Sequence, residues 1–540
     1  LAYSEPGAVS GGPVGTAASR YNRWHQVREQ FLRRARNASL LTIPSLVPPL
    51  GHGPSSELPT PYQGVGAAGV TNLASKLLMS LFSVPQPWFR LVPSDPEAIR
   101  SSGPKVSTEV EEGLAAMERA IASEFEVLAL RVKLFEALKH LLVAGNVTFH
   151  VQPDGAARVV PLDQYVARRD PLGKLLCLVI REPLDPEYVP ASVPQPPVPA
   201  MDLGDVGTPF HRSDARPSVS IYTCVEWDEE SSRYHVRQEM HDGALVPGSV
   251  GSYREELLPW RVLRYAAIDG EDYGRGMVEE VIGDLVSLEG LTRAIVEAAA
   301  ILSRLVGLVD PAGAATADDL NNAPNGAYVV GRPTDVTYPP INKGGDLQVV
   351  LAASNRIEDR LQRAFLLHAT VQRQAERVTA EEIRYVAQEL EGTLGGVFSV
   401  LSQELQLPLV RMFMERMVRQ GKIKRLPSRA VRPAIVTGIE ALGRGQELTR
   451  LTVAAQTAQA VVGPEQFVQN INVRTFLGAI FAAAGVDTNG LLRTEEEIQQ
   501  AAQQAQAMAL AQRVGPQVVN AIGPGVAQRL GLNPEAPAPA

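Results

Sequence analysis

An α+β fold, mainly helical, follows from three features of this sequence. Apolar residues recur at steps of three and four along several long stretches, the spacing of one helix face. Two groups of short runs rich in β-branched and aromatic residues alternate with turn-forming dipeptides. The middle of the chain has a definite order: long helix, small turn-rich β excursion, return helix, short loop, and a second long helix that carries glycines.

The chain opens Gly/Ser-rich, and the basic stretch "RYNRWHQVREQFLRRARNAS" then predicts a helix, followed by a Pro/Gly/Ser loop through Pro61. Helical spacing returns in "TNLASKLLMSLF" and from Val106 to Ala144, with Gly145 and Asn146 as a stop. "NVTFHV", "ARVVPL" and "LLCLVI" read as strands, with "QPDGA" and "RDPLG" as their turns. Glu182 to Pro217 is Pro-rich and predicts an irregular loop. "SVSIYTCVEWD" and "SRYHVRQEM" then predict a hairpin.

From Gly274 to Leu308 the apolar positions Val278, Val281, Leu285, Leu288, Ile295, Leu302 and Val306, with Thr292 and Ala299 between them, hold a strict three-four alternation. That 3.5-residue period gives a narrow seam suited to packing between neighbouring helices. Glu279, Glu280, Asp284, Glu289 and Glu297 leave the remaining faces acidic against Arg293 and Arg304. Turns and short strands follow, and a return helix is predicted from Asp346 to about His368.

The stretch from Glu376 to Val410 predicts one more long helix. Thr379 and Glu382 form a capping box, and Ile383, Val386, Leu390, Leu394, Val397, Leu401 and Leu405 make a single stripe, with Pro408 as the expected end. Gly392, Gly395 and Gly396 interrupt it, each costing about 1 kcal/mol relative to Ala. Close packing against a neighbour and a kink or hinge both account for them. After Pro433 the chain reads as helical, rich in Ala, Gln and Gly, and "NPEAPAPA" reads as a frayed tail.

Composition narrows the function. With 540 residues and 45% hydrophobic content the chain can bury substantial cores and form several subdomains. A net charge of -8 argues against a tight electrostatic grip on DNA, while a surface that DNA slides past remains compatible. Cys177 and Cys224 lie in strand-like apolar runs and read as buried thiols in a reducing compartment. No apolar run reaches the length of a membrane span, and no signal peptide is read at the start.

Motifs for chemistry are missing. There is no G-x-x-x-x-G-K-[ST], no G-x-S-x-G, no H-E-x-x-H, and no ligand set for a structural metal, so no catalytic or metal-binding residue is assigned and no cofactor is expected. "GVGAAG" at Gly64 to Gly69 matches a dinucleotide fingerprint but follows no strand, and reads instead as a helix start that permits close backbone approach. "WDEESS" at Trp227 to Ser232 reads as a solvated turn rather than a Mg²⁺ site. "FLRRARN" at Phe31 to Asn37 reads as a solvated helix face or subunit contact rather than a nucleic-acid patch.

Six strings occur in order across residues 21 to 493: "LTIPSLVPP", "GVGAAGVTNLASKLLMSLF", "LFEALKHLLVAGNV", "DGEDYGRGMVEEVIGDLVSLEGL", "ERVTAEEIRYVAQELEGTLGGVFSVLSQELQLPLV" and "GIEALGRGQEL". In these the chain resembles the head-to-tail connector, or portal, proteins of short-tailed bacteriophages of the podovirus type. The resemblance implies the phage portal fold, with long stem and wing helices, a small β-containing clip and a helical crown. It implies a wing region at 1–273 with β hairpins and the Pro-rich loop 182–217, a stem helix at 274–309, a clip at 310–345 and a return stem helix at 346–368. A channel loop would then span 369–378, the long wing helix and following segment 379–432, the crown 433–514 and a flexible tail 515–540.

It further implies a structural, non-enzymatic homo-oligomer, a dodecameric ring at one capsid vertex of the virion, assembled in the host cytoplasm. Double-stranded DNA would pass through its channel during packaging and ejection. Major capsid and scaffolding proteins, the packaging terminase and tail adaptor proteins are the implied partners, and no membrane is. On this reading Gln372, Arg373, Gln374 and Arg377 supply weak DNA contacts, Gly392, Gly395 and Gly396 form a hinge, and Leu285, Leu288, Ile295 and Leu302 pack between subunits. Two other classes remain as alternatives: a DNA-packaging or processing enzyme, and a membrane-pore protein ejected with the genome.

Overall fold

The computed structural model describes residues 15–53, 56–82, 88–93, 104–184, 219–302, 308–324, 326–337, 344–367, 392, 396–423, 433–437 and 444–463, with single positions at 466, 476, 477 and 480. The chain divides into two compact units, Leu1–Leu442 and Gly443–Ala540. In the second, α11 (Arg444–Val462) is the long described element. All other elements belong to the first.

Helix α1 (Ala17–Leu40) starts at Thr16, whose hydroxyl accepts from the Ser19 amide, while Glu239 accepts the Ala17 amide at 2.6 Å. It lies on an antiparallel meander of five strands: β4 (Tyr165–Arg169), β5 (Leu175–Leu184), β6 (Val219–Asp228), β7 (Arg233–Met240) and β8 (Gly251–Tyr253). Side chains alternate across β5 as the pleat requires. Cys177 and Val179 meet Ala17, Ala18 and Tyr21 of α1, whereas Leu178 and Ile180 face a separate core with Tyr165, Val225 and Val236. Arg28 is buried, and its Nη1 donates to the Tyr21 hydroxyl and the Asp163 and Tyr165 carbonyls at 2.8–2.9 Å, which fixes the helix on the sheet. Both cysteines are buried free thiols. Glu182 to Leu184, read as loop, close the ladder of β5 against Val219 to Ile221 instead.

The main core gathers around α2 (Val65–Leu81), whose Val70, Leu73, Ala74 and Leu77 are wholly buried. Against it pack α3 (Pro104–Val127), α4 (Leu130–Ala144) and the middle strand of a three-stranded sheet, β2 (Asn146–Val151), flanked by β3 (Ala157–Val160) and β9 (Trp260–Arg264). The "GVGAAG" glycines open α2, and a Cβ at Gly66 would lie 2.5 Å from the Leu41 carbonyl oxygen, the close approach the sequence suggested. "WDEESS" forms the β6–β7 turn, in which the Asp228 carboxylate accepts from the Glu230 and Ser231 amides.

Three boundaries differ from the sequence reading. The helix expected from Gly274 to Leu308 is a single turn, α5 (Met277–Glu280), then α6 (Ile282–Leu302), with Leu308 already in the short strand β10 (Leu308–Val309). β10 pairs antiparallel with β11 (Val336–Thr337), and α7 (Ala317–Asn322) lies between them in sequence. The return helix is α8 (Gly344–Ala364).

The second difference concerns Pro408, which does not end its helix. α9 (Val397–Leu401) runs through a π turn at Ser402–Gln406 into α10 (Leu407–Arg419), with Pro408 in the first turn of α10. In the π turn the Leu407 amide donates to the Ser402 carbonyl, five residues back, and Pro408 falls in the first turn of α10, where a missing backbone donor is tolerated. The third is Pro433–Thr437, read as the start of helix. It is strand β12, paired antiparallel with β1 (Phe89–Pro93), Phe89 opposite Thr437.

Candidate functional site

The long helices α6 and α8 run antiparallel, with Arg360 near the end of α8 bonded at 2.6 Å to Asp284 near the start of α6. Their closed end is apolar: Leu285 and Leu288 are 0% and 2% exposed and meet Leu361 and Phe365, both 0%. Leu285 and Leu288 are thus already buried within one chain. Ile295 and Thr292 are half-buried, and the Leu302 side chain lies outside the described residues.

Away from that end the pair emerges from the core. Val286, Val296 and Ile301 of α6 are 56%, 49% and 61% exposed, and Val349 and Leu351 of α8 are 71% and 45% exposed. Apolar side chains so exposed on two neighbouring helices are available to a further packing partner. Charge accompanies them. Glu289 accepts the amides of Tyr62 and Gln63, Arg293 pairs with Glu297 at 2.8 Å, and Arg293 also sits over the Tyr62 ring.

The expected DNA-contacting positions Gln372, Arg373, Gln374 and Arg377 lie outside the described residues, as does Gly395. Gly392 and Gly396 are described, and an added Cβ at either would meet nothing within 4 Å. Among the described residues, then, no close packing accounts for them. Gly396 has φ +88, a left-handed conformation outside any α-helix, and it stands as the N-cap of α9. The helical stretch is broken there.

The described residues that directly follow the break, 397–423, are tied down. Val397, Phe398, Leu401, Leu405, Leu409, Val410, Phe413 and Met417 enter the main core. Gln406 donates from its side chain to the Leu81 carbonyl, Lys422 pairs with Glu124 at 2.6 Å, and Arg411 pairs with Glu256 at 3.2 Å. Glu404, on the π turn, faces Arg169, Arg264 and Arg261. Loss of water around its carboxyl raises the pKa against the pull of those three guanidiniums. Burial likewise pushes Arg261 down to about 10. The sequence did not signal this charged cluster, because its members come from β4, β9 and the π turn and share no local motif.

Among the described residues no cluster of His, Cys, Asp or Glu suits a metal, and no helix is long and apolar enough to cross a membrane. Comparison with known proteins adds what the geometry alone does not. The profile of the family "Bacteriophage head to tail connecting protein" matches residues 14–492. The chain is 42% identical over 531 residues to the portal protein of Escherichia phage T7, covering 97% of this chain and 96% of that one. It is 41% identical over 492 residues to the portal protein of Enterobacteria phage T3, covering 89% of each. Among solved structures, a chain from the neck of an empty gene transfer agent particle aligns over 73% of this chain and 86% of its own length, with 12% identity and a TM-score of 0.32, too loose a match to carry an argument.

Proposed function

Because this chain belongs to the bacteriophage head-to-tail connecting protein family, we propose that it is a portal: a structural ring at one capsid vertex, forming the channel for DNA packaging and ejection and the docking site for tail and terminase. The observation that carries this reading is 42% identity to a portal protein across nearly the whole of both chains. The ring is a dodecamer, assembled in the host cytoplasm with major capsid and scaffolding proteins, and tail adaptor proteins dock on it afterwards. It has no catalytic centre of its own.

Each part of the chain suits such a ring. Long paired helices build a wall, and the exposed Val286, Val296 and Ile301 are apolar side chains on that wall available to the next copy. Asp284, Glu289 and Glu297 outnumber Arg293 on α6. An acidic lining repels phosphates, so DNA moves past rather than binding. Arg373 and Arg377, with Gln372 and Gln374, supply the weak contacts of a channel loop in residues 369–378.

Gly392, Gly395 and Gly396 act as the hinge. Its C-terminal side is anchored in the core, so motion is confined to the N-terminal side and swings residues 379–391 and the loop before them. Capsids assembled without this protein test the reading. They should fail to package DNA and recover when the protein is present during assembly. Equal packaging with and without it would overturn the proposal.

A further inference from the structure

The end of α8 is held in a way that ordinary helix termination does not need. Leu366 has φ +52, a left-handed conformation that a branched residue disfavours and glycine would take freely. The turn closes on itself, with the Leu367 amide donating to the Gln362 carbonyl at 2.8 Å and the Leu366 amide to the Arg363 carbonyl at 3.1 Å. A second element then grips it from outside. Asn72 Nδ2 donates to the Phe365 carbonyl at 3.1 Å and to the Leu366 carbonyl at 2.9 Å, and Lys76 Nζ donates to the same Leu366 oxygen at 2.9 Å.

One turn earlier on α2 stands Gly69, where an added Cβ would lie 2.4 Å from Cγ of the fully buried Phe365. Gly69, Asn72 and Lys76 are spaced three and four apart, so they share one face of α2. The opposite contacts of that helix, Val70, Leu73, Ala74 and Leu77, are wholly buried, so the face is presented from a rigid support. The ammonium also complements the negative end of the α8 dipole. Water would satisfy two carbonyls at an ordinary helix end. Here three donated hydrogen bonds and a glycine-permitted ring contact hold a strained residue in one direction, the arrangement in which strain is retained for a purpose.

We propose that Gly69, Asn72 and Lys76 are positioning residues that clamp the Phe365–Leu366 turn and so fix the direction in which the chain leaves α8. The inference rests on the portal reading, in which the DNA-contacting loop begins shortly after that exit. With the C-terminal side of the Gly396 break also anchored, the segment between has two fixed ends. Loosening the first end alters DNA handling while leaving the ring wall intact.

The test uses the full-length chain assembled into rings and capsids, comparing wild type with Asn72→Ala/Lys76→Ala, Lys76→Arg and Leu366→Gly. Loss of charged and neutral hydrogen bonds to one turn should lower retention of packaged DNA by about tenfold in the double variant. Rings should still form and melt close to wild type. Lys76→Arg keeps a cationic donor and should retain DNA like wild type. Leu366→Gly removes the strain together with a half-buried side chain packed against the main core, so its retention is read against the melting temperature of its own rings and should fall by more than the melting does.

Retention at the wild-type level in Leu366→Gly or in the double variant overturns the proposal. So does a loss of retention that merely parallels loss of ring stability in both variants. If the double variant does not assemble, Leu366→Gly decides alone. Failure of the portal reading is a different result: wild type itself would form no ring or support no packaging.

Discussion

Replacing Gly396 with Ala separates a hinge from a fixed bend, because the structure removes the usual confounding cause. Among the described residues the added methyl group meets nothing within 4 Å, so no steric clash with them confuses the result. The backbone is what resists. At φ +88, Ala carries a left-handed penalty of about 1–2 kcal/mol that Gly does not. In a continuous helix through residue 396, Ala is instead favoured over Gly by about 1 kcal/mol. The two terms act in the same direction, so the broken form loses roughly 2–3 kcal/mol relative to the straight one, a shift of about 30- to 150-fold in their ratio. Cryo-electron microscopy of Gly396→Ala rings, sorted by the path of residues 383–401, measures that ratio directly. Hydrogen exchange should also slow at the amides around 396–400 as the helix closes. A variant that keeps the same bend in every particle, with unchanged exchange, would refute the hinge and make Gly396 a fixed corner.

Leu285 and Val296 should behave oppositely when changed to Asp. Leu285→Asp buries an unpaired carboxylate in the protomer core at a cost of several kcal/mol, so the protein should lose its cooperative melt. Val296→Asp or Ile301→Asp should leave the melt intact and block ring formation in sedimentation, and intact rings would remove these side chains from the subunit contact. Acid should weaken the fold through His140, which is 5% exposed and held down to about 4 by burial, below its ordinary value of 6.5. The unfolded chain takes up that proton first, so the stability contribution is whole above pH 6.5 and declines as pH falls toward 4, by up to about 3 kcal/mol. His140→Leu should flatten melting temperature against pH across that window, and an unchanged slope would dismiss His140 as the cause. The pure protein should show no ATP hydrolysis and no Mg²⁺-dependent DNA cleavage above background; activity that tracks with the ring would contradict a purely structural role.

What could be read from the sequence depended on whether a residue's partners leave a local trace. The α6 and α8 helices were legible because the core fixes a repeating face, and the β2–β3 and β4–β5 turns because Gly155 and Gly173 take φ +94 and +89 there. β12 was not legible. Its partner β1 lies at the other end of the unit, and five residues led by Pro433 carry no sign of so distant a ladder. Pro408 misled for a related reason: the π turn that accommodates it is a backbone adjustment without a residue signature. The seam of α6 was found with the correct period, yet period does not tell one's own chain from a neighbour's. Leu285 and Leu288, on the seam, are already buried inside the protomer, while Val286, Val296 and Ile301, off the seam, are exposed apolar side chains of α6.

Copies of this chain should close into a ring around a DNA-sized hole, and electron microscopy of the purified protein shows whether they do. The expected result is uniform rings with an open centre, viewed end-on with twelvefold symmetry, and a particle mass near twelve times 58.2 kDa. A solution that stays monomeric at assembly concentrations, or particles without a central opening, would contradict it.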